Sequence, residues 1–296
     1  MRIDSHQHFW DLGRFHYAWM PPPPSRIHRD FLPENLAPLL DLNRFDGSVL
    51  VQANTIVEET RWLLELASAN AFIRGVVGWV DLTDPRVGAA LDEFQRHPRF
   101  KGVRHPVHDE GDVNWLLRPD VISGLREVAR RQLPYDLLLR PRHLPLVAKL
   151  AELVPDLRMV IDHIAKPPIA AGSMEGWARD MERAAAIPQV WCKLSGMITE
   201  AAPNWVASDL RPYVQFILTL FGPDRLMYGS DWPVCLLAGN FKRALAGFTQ
   251  ALAPVPTPVR NKIMGETACE FYGLTTSSPA RSEDSETPGS APSRMD

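Results

Sequence analysis

The sequence predicts an α/β fold, a (β/α)8 barrel, from three observations. Short β-branched or aromatic runs recur about eight times along the chain. Amphipathic stretches at helical spacing lie between most of them, which implies parallel strands joined by crossovers. Polar and ionisable side chains collect at the ends of the runs while their bodies stay apolar, as in a barrel that carries its site at the C-terminal face.

The first run, RIDSH (2–6), leads into His6-Gln7-His8. Side chains two apart share one face of a strand, so His6 and His8 converge with Asp4 beneath them. MPPPPSR (20–26) reads as a stiff extended segment inside a long first loop. GSVLVQA (47–53) brings Gln52 and Asn54 to the second strand end, and VEETRWLLELASAN (57–70) is the first helical pattern. RGVVGWVD (74–81) reaches Trp79 and Asp81, and GAALDEFQRH (88–97) follows. FKGVRHP (100–106) offers Arg104 and His105 on opposite faces, with His108 just beyond. YDLLLR (135–140) ends at Arg140, before the helical HLPLVAKLAELV (143–154). RMVIDH (158–163) ends in Asp162 and His163, and VWCKLS (190–195) in Lys193 and Ser195. After RPYVQFILTLFG (211–222), the run RLMYGSD (225–231) ends in Asp231, followed by Trp232 and Pro233. Asp231 shares its parity with Gly229 and Met227, so the three should face inward together. PVRNKIMGETACEFYG (258–273) closes the series. The first strand has no Gly-rich turn after it, which argues against a nucleotide-binding sheet.

A chain of 296 residues with 45% hydrophobic content and net charge -3 holds one large barrel, expected over 1–274. The Ser/Pro/Glu-rich 275–296 reads as a disordered tail. Near-neutral charge leaves no electrostatic footprint for nucleic acid, and the scattered Lys and Arg make no polybasic run for a membrane surface. The N-terminal stretch is polar where a leader's apolar core would sit. Cys192, Cys235 and Cys269 lie far apart with no CxxC spacing, so the expected compartment is the reducing cytoplasm.

The strand ends nominate the site. His6, His8, His163 and Asp231 read together as a catalytic cluster. Arg104, Arg140 and Lys193 suit an oxygen-rich ligand at the mouth, Gln52 adds an amide, and Trp79 and Trp232 offer apolar faces to a sugar ring.

DSHQHFW, FKGVR, VIDHIAKP, CKLSG and LMYGSDWP, taken in this order, resemble the amidohydrolase superfamily. The resemblance is nearest to its amidohydrolase-2 branch, which contains L-fuconolactonase, L-rhamnonolactonase and pyrone-dicarboxylate lactonase. It implies a distorted (β/α)8 barrel that hydrolyses a lactone at a carbonyl centre, with His6, His8, His163 and Asp231 as the catalytic cluster. The substrate implied is a small sugar-acid lactone of the fucono-lactone type, opened to the aldonic acid by water that a general base activates. Two-metal members draw a bridging lysine or glutamate from a middle strand. Here that strand ends in LLLRPR, and arginine is a poor ligand. Lactonases of the branch work without metal, so none is expected to be required. The alternative is a single divalent ion such as zinc on His6, His8, His163 and Asp231, serving a decarboxylase or an amide hydrolase. A barrel kept only for binding would have lost one of the four, and all are present. Oligomeric state stays open.

Overall fold

A computed structural model of the chain describes residues 1–252 and 254–275. Its eight strands run β1 (Ile3–Gln7), β2 (Gly47–Val51), β3 (Ile73–Gly78), β4 (Phe100–His105), β5 (Tyr135–Leu137), β6 (Met159–Ile161), β7 (Val190–Leu194) and β8 (Leu226–Tyr228). They pair in chain order, each parallel to the next. β8 returns to β1 just past its end. Asp231 N donates to the His6 carbonyl at 2.9 Å, and His8 N to the Trp232 carbonyl at 2.7 Å. The fold is the expected (β/α)8 barrel.

The helices are α1 (Pro33–Leu42), α2 (Val57–Ala69), α3 (Val87–Gln95), α4 (Pro119–Arg130), α5 (Leu146–Leu153), α6 (Trp177–Ala185), α7 (Ala207–Phe221) and α8 (Phe241–Leu252). After them the 258–273 pattern divides into α9 (Thr257–Asn261), a π turn (Lys262–Glu266) and α10 (Thr267–Tyr272). Four helices, α1, α4, α6 and α8, go beyond the periodic stretches read from the sequence. Pro38, Gly124 and Gly247 interrupt three of them, and α6 buries only Trp177, Asp180, Met181, Ala184 and Ala185. Tertiary packing holds them where local pattern is weak. Among the described residues no helix is long and apolar enough to cross a membrane.

One apolar layer fills the space between strands and helices. A second lies inside the barrel, where Ile3, Val49, Val77, Val160 and Met227 meet Phe271 and Tyr272 of α10. That floor gains roughly 1.5–3 kcal/mol for each large apolar side chain it takes from water.

β1 departs from simple alternation. Asp4 pairs with Ser48 and Gln7 with Leu50, so three steps on β1 match two on β2. This β-bulge lets both Ile3 and His6 point into the barrel although they differ in parity. It also corrects the expectation for Asp4. Rather than lying beneath the histidines, its carboxylate accepts from Ser230 N at 2.8 Å and Ser230 Oγ at 2.6 Å, tying β1 to the chain leaving β8. Burial pushes the Asp4 carboxyl up to about 6. MPPPPSR sits in the β1–α1 loop, and the tail lies, from residue 276 on, outside the described residues.

Candidate active site

At the C-terminal ends of the strands a cleft of about 760 Å³ opens, lined among others by His8, Gln52, Trp79, Arg104, His163, Lys166 and Asp231. Behind this lining the charged groups are packed away from water. His6 Nε2 lies 3.1 Å from His8 Nε2, and Asp231 Oδ1 lies 3.4 Å from His8 Nε2, 3.8 Å from His6 Nε2 and 3.9 Å from His163 Nε2. The four residues nominated as a cluster therefore meet at one point.

Local backbone does the aiming. Asp231 has φ 55, and the consecutive residues His163, Ile164, Ala165 and Lys166 have φ of 54, 47, 58 and 53. Four non-glycine residues in the left-handed region cost roughly 1–2 kcal/mol each. The turn turns His163 back over the barrel, where its Nδ1 meets Ser195 Oγ at 2.8 Å, and sends Lys166 to the cleft. Two glycines make room. A Cβ on Gly196 (φ +60) would meet His163 Nδ1 at 2.5 Å, and one on Gly229 would meet His6 Cβ at 2.5 Å. The inward parity read for Met227, Gly229 and Asp231 is the parity seen.

Below the imidazoles sits an ion network that only Arg104 connects to the cleft. Lys193 Nζ donates to Asp136 Oδ2 at 2.6 Å, and it lies 3.0 Å from Asp162 Oδ1 and 3.1 Å from His6 Nδ1. Arg104 Nη1 donates to Asp162 Oδ2 at 3.2 Å, and its Nη2 to the Gln52 carbonyl. Tyr272 Oη donates to Asp136 from below at 2.8 Å.

Burial pushes all three imidazoles of His6, His8 and His163 below the ordinary 6.5, so they are neutral at pH 7. Burial alone would raise Asp231. His163, the contact with His8 and the charge of Lys166 outweigh it, and the carboxyl ends below 3.8. Asp162 likewise falls well below 3.8, since Lys193, His6 and Arg104 overcome its burial. Burial raises Asp136 to about 6 despite Lys193.

Gln52, Trp79 and Arg104 line the cleft as the sequence suggested, while three candidates do not. Lys193 is fully buried beneath His6 rather than at the mouth, because it precedes the end of β7 and finds its acceptors inside. Arg140 is exposed. β5 stops at Leu137, and the Pro141–His143 turn carries the arginine outward, its backbone N–H donating to His143 Nδ1 at 3.1 Å. Trp232 packs edge-on against Phe31 and Phe9, because the left-handed Asp231 sends the next side chain away from the cleft.

Other residues enter the site unforeseen. Lys166 reaches the cleft while ion-paired with Glu200 at 3.0 Å. Trp19 crosses from the first loop and donates to the Ala53 carbonyl at 2.7 Å. His105 lies on the opposite face from Arg104 yet forms part of the cleft wall. It accepts from Trp79 Nε1 at 3.0 Å, stacks on Trp115 at 4.0 Å and donates to Glu110 at 2.7 Å. Lys166 had a signal only as part of VIDHIAKP, His105 was read as lying on the face opposite Arg104, and Trp19 had none. A separate cavity of about 400 Å³, lined by Met1, Arg2, Asp46 and Arg260, holds none of the candidate residues.

His6, His163 and Asp231 can each offer one ligand atom, all within 4.8 Å of one another. Nitrogen and carboxylate donors of this kind suit one divalent ion.

The amidohydrolase family model matches residues 3–274. An L-fucono-1,5-lactonase from Burkholderia ambifaria is 41% identical over 92% of this chain and 96% of its own length. Another, from Burkholderia multivorans, is 37% identical over 95% of this chain and 99% of its own. A crystal structure of a Burkholderia multivorans amidohydrolase with bound zinc superposes with TM-score 0.86 at 36% identity, covering 93% of this chain and all of that one.

Proposed function

The chain belongs to the amidohydrolase family, and on that premise we propose that it opens a sugar-acid lactone of the L-fucono-1,5-lactone type to the aldonic acid. The observation that carries this reading is Asp231, an ionised carboxylate sunk at the floor of a cleft large enough for a sugar lactone.

Asp231, ionised at the base of the cleft, is the group that takes a proton. It accepts it from a water poised against the lactone carbonyl carbon. The hydroxide adds, and the carbonyl oxygen takes the charge beside the Arg104 guanidinium. Collapse breaks the bond from the carbonyl carbon to the ring oxygen. The proton held on Asp231 passes to that oxygen, leaving a hydroxy acid and a regenerated carboxylate. His8 and His163 flank the carboxylate and hold the water in line. Gln52, Trp79 and Trp19 border the sugar.

The donor set of His6, His163 and Asp231, with His8 beside it, fits a single divalent ion. Such an ion would lower the pKa of a bound water and polarise the carbonyl. The permanent cation of Arg104, 3.3 Å from His6 Nε2, already supplies positive charge there, so the reaction proceeds without requiring the ion. The test is a pH-indicator screen of aldonolactones on protein dialysed against chelator, with and without added zinc. Turnover of L-fucono-1,5-lactone by metal-free protein is expected. Activity only after zinc, or only on amides or aromatic acids, would transfer the site to the metal-dependent reading.

A further inference from the structure

Two groups of fixed hydrogen-bonding sense bracket the histidine pair. At one end the Val51 carbonyl can only accept, and His8 Nδ1 lies 2.8 Å from it. A neutral His8 therefore carries its proton on Nδ1 and turns a lone pair outward at Nε2. His6 Nε2 stands 3.1 Å from that lone pair and must be the donor. The other nitrogen of His6, Nδ1, must then accept. What faces it at 3.1 Å is the ammonium of Lys193, which can only donate. The assignment made from the carbonyl end is thus the one the lysine end demands.

We infer that Lys193 is a positioning residue that holds His6 as its Nε2–H tautomer, closing His6 and His8 into a donor–acceptor pair that a divalent cation would have to open. The opposite tautomer would give His6 Nδ1–H to Asp162 Oδ1 at 3.4 Å and let Nε2 accept from Arg104 at 3.3 Å. It would also set two lone pairs 3.1 Å apart between the imidazoles and leave one N–H of a fully buried lysine unmatched. The Nε2–H tautomer costs Arg104 Nη1 its contact with His6 Nε2 at 3.3 Å, but Nη1 keeps Asp162 Oδ2 as an acceptor at 3.2 Å.

The position of the lysine is itself set from the floor of the barrel. Asp136 holds Nζ at 2.6 Å, and Tyr272 of α10 holds Asp136. A metal ion entering at His6 has to break the imidazole–imidazole bond and displace the Nε2 proton. The inference does not depend on which lactone is opened.

The direct test is long-range ¹H–¹⁵N correlation on histidine-labelled, metal-free protein. His6 is expected protonated at Nε2 and bare at Nδ1, and His8 the reverse. A His6 protonated at Nδ1 overturns the proposal, and this measurement needs no variant. Calorimetric titration with zinc then compares the wild type with the charge-balanced double variant Lys193→Met, Asp136→Asn. The variant is expected to bind zinc about tenfold more tightly or better, within the range that ligand-orienting groups command. Equal or weaker binding in a folded double variant sinks the link between the lysine and the metal.

Discussion

Two regions share the barrel axis, equally hidden from water and opposite in chemistry. The lower one is Ile3, Val49, Val77, Val160 and Met227 closed off by Phe271. The upper one is His6, Asp136, Asp162, Lys193 and Asp231, all at 2% exposure or less. Burial alone holds the first together. The second runs against burial, because every charge there loses water and recovers the cost only through its partners. Its geometry is correspondingly fixed. Lys193 meets Asp136, Asp162 and His6 at 2.6, 3.0 and 3.1 Å, and losing the lysine leaves the buried Asp136 carboxylate without its cation. The floor should thus govern whether the chain folds, and the upper region what it does once folded.

Phe271→Ala is expected to have the largest effect, a loss of about 3–5 kcal/mol in denaturant melts, with kcat per folded molecule unchanged. A large kcat loss in folded protein would show that the two regions are mechanically one.

Asp231→Asn should do the reverse. kcat falls about 10²-fold or more while the melting temperature moves little. Near wild-type turnover in the folded variant would remove Asp231 as the base. Because its carboxyl lies below the ordinary 3.8, wild-type kcat should also hold level down to about pH 4. A fall in kcat centred near pH 6 that persists in Asp136→Asn would place the base elsewhere.

A smaller effect concerns pH and stability at the cleft wall. Burial, then Lys166 and Arg104, push His108 from 6.5 down to about 3. As pH falls below 6.5 the unfolded chain takes up this proton while the folded one refuses it. The stability tied to His108 is therefore present above pH 6.5 and drains away as pH falls toward 3. Urea melts between pH 7 and 5 should show a shallower loss for His108→Gln than for the wild type, and parallel curves would refute the assignment. The raised carboxyls Asp4, Asp136 and Glu59 work in the opposite sense in both proteins and cancel from the difference.

Arg140→Ala should change least, within about twofold in kcat/KM, as expected for an exposed side chain outside the cleft. A tenfold rise in KM would restore it to the substrate.

The alternation of strand and helix determined the barrel, because a period of two or of 3.6 is written in the residues themselves. Side-chain type and alternation around the strand ends nominated the four clustered residues, although His8, His163 and Asp231 lie just past β1, β6 and β8. Gly229 and Asp231 were legible from that alternation. Tertiary structure decided what local pattern cannot carry. The bulge in β1 resets parity and moved Asp4 from the histidines to Ser230. The left-handed turn from His163 to Lys166 is unfavourable in isolation and persists only because the surrounding packing holds it, so no propensity foretells Lys166 in the cleft. Lys193 and Arg140 read alike as strand-end cations. One found two carboxylates and an imidazole inside the barrel and the other stayed exposed, a difference set by distances across strands, which sequence neighbours do not encode.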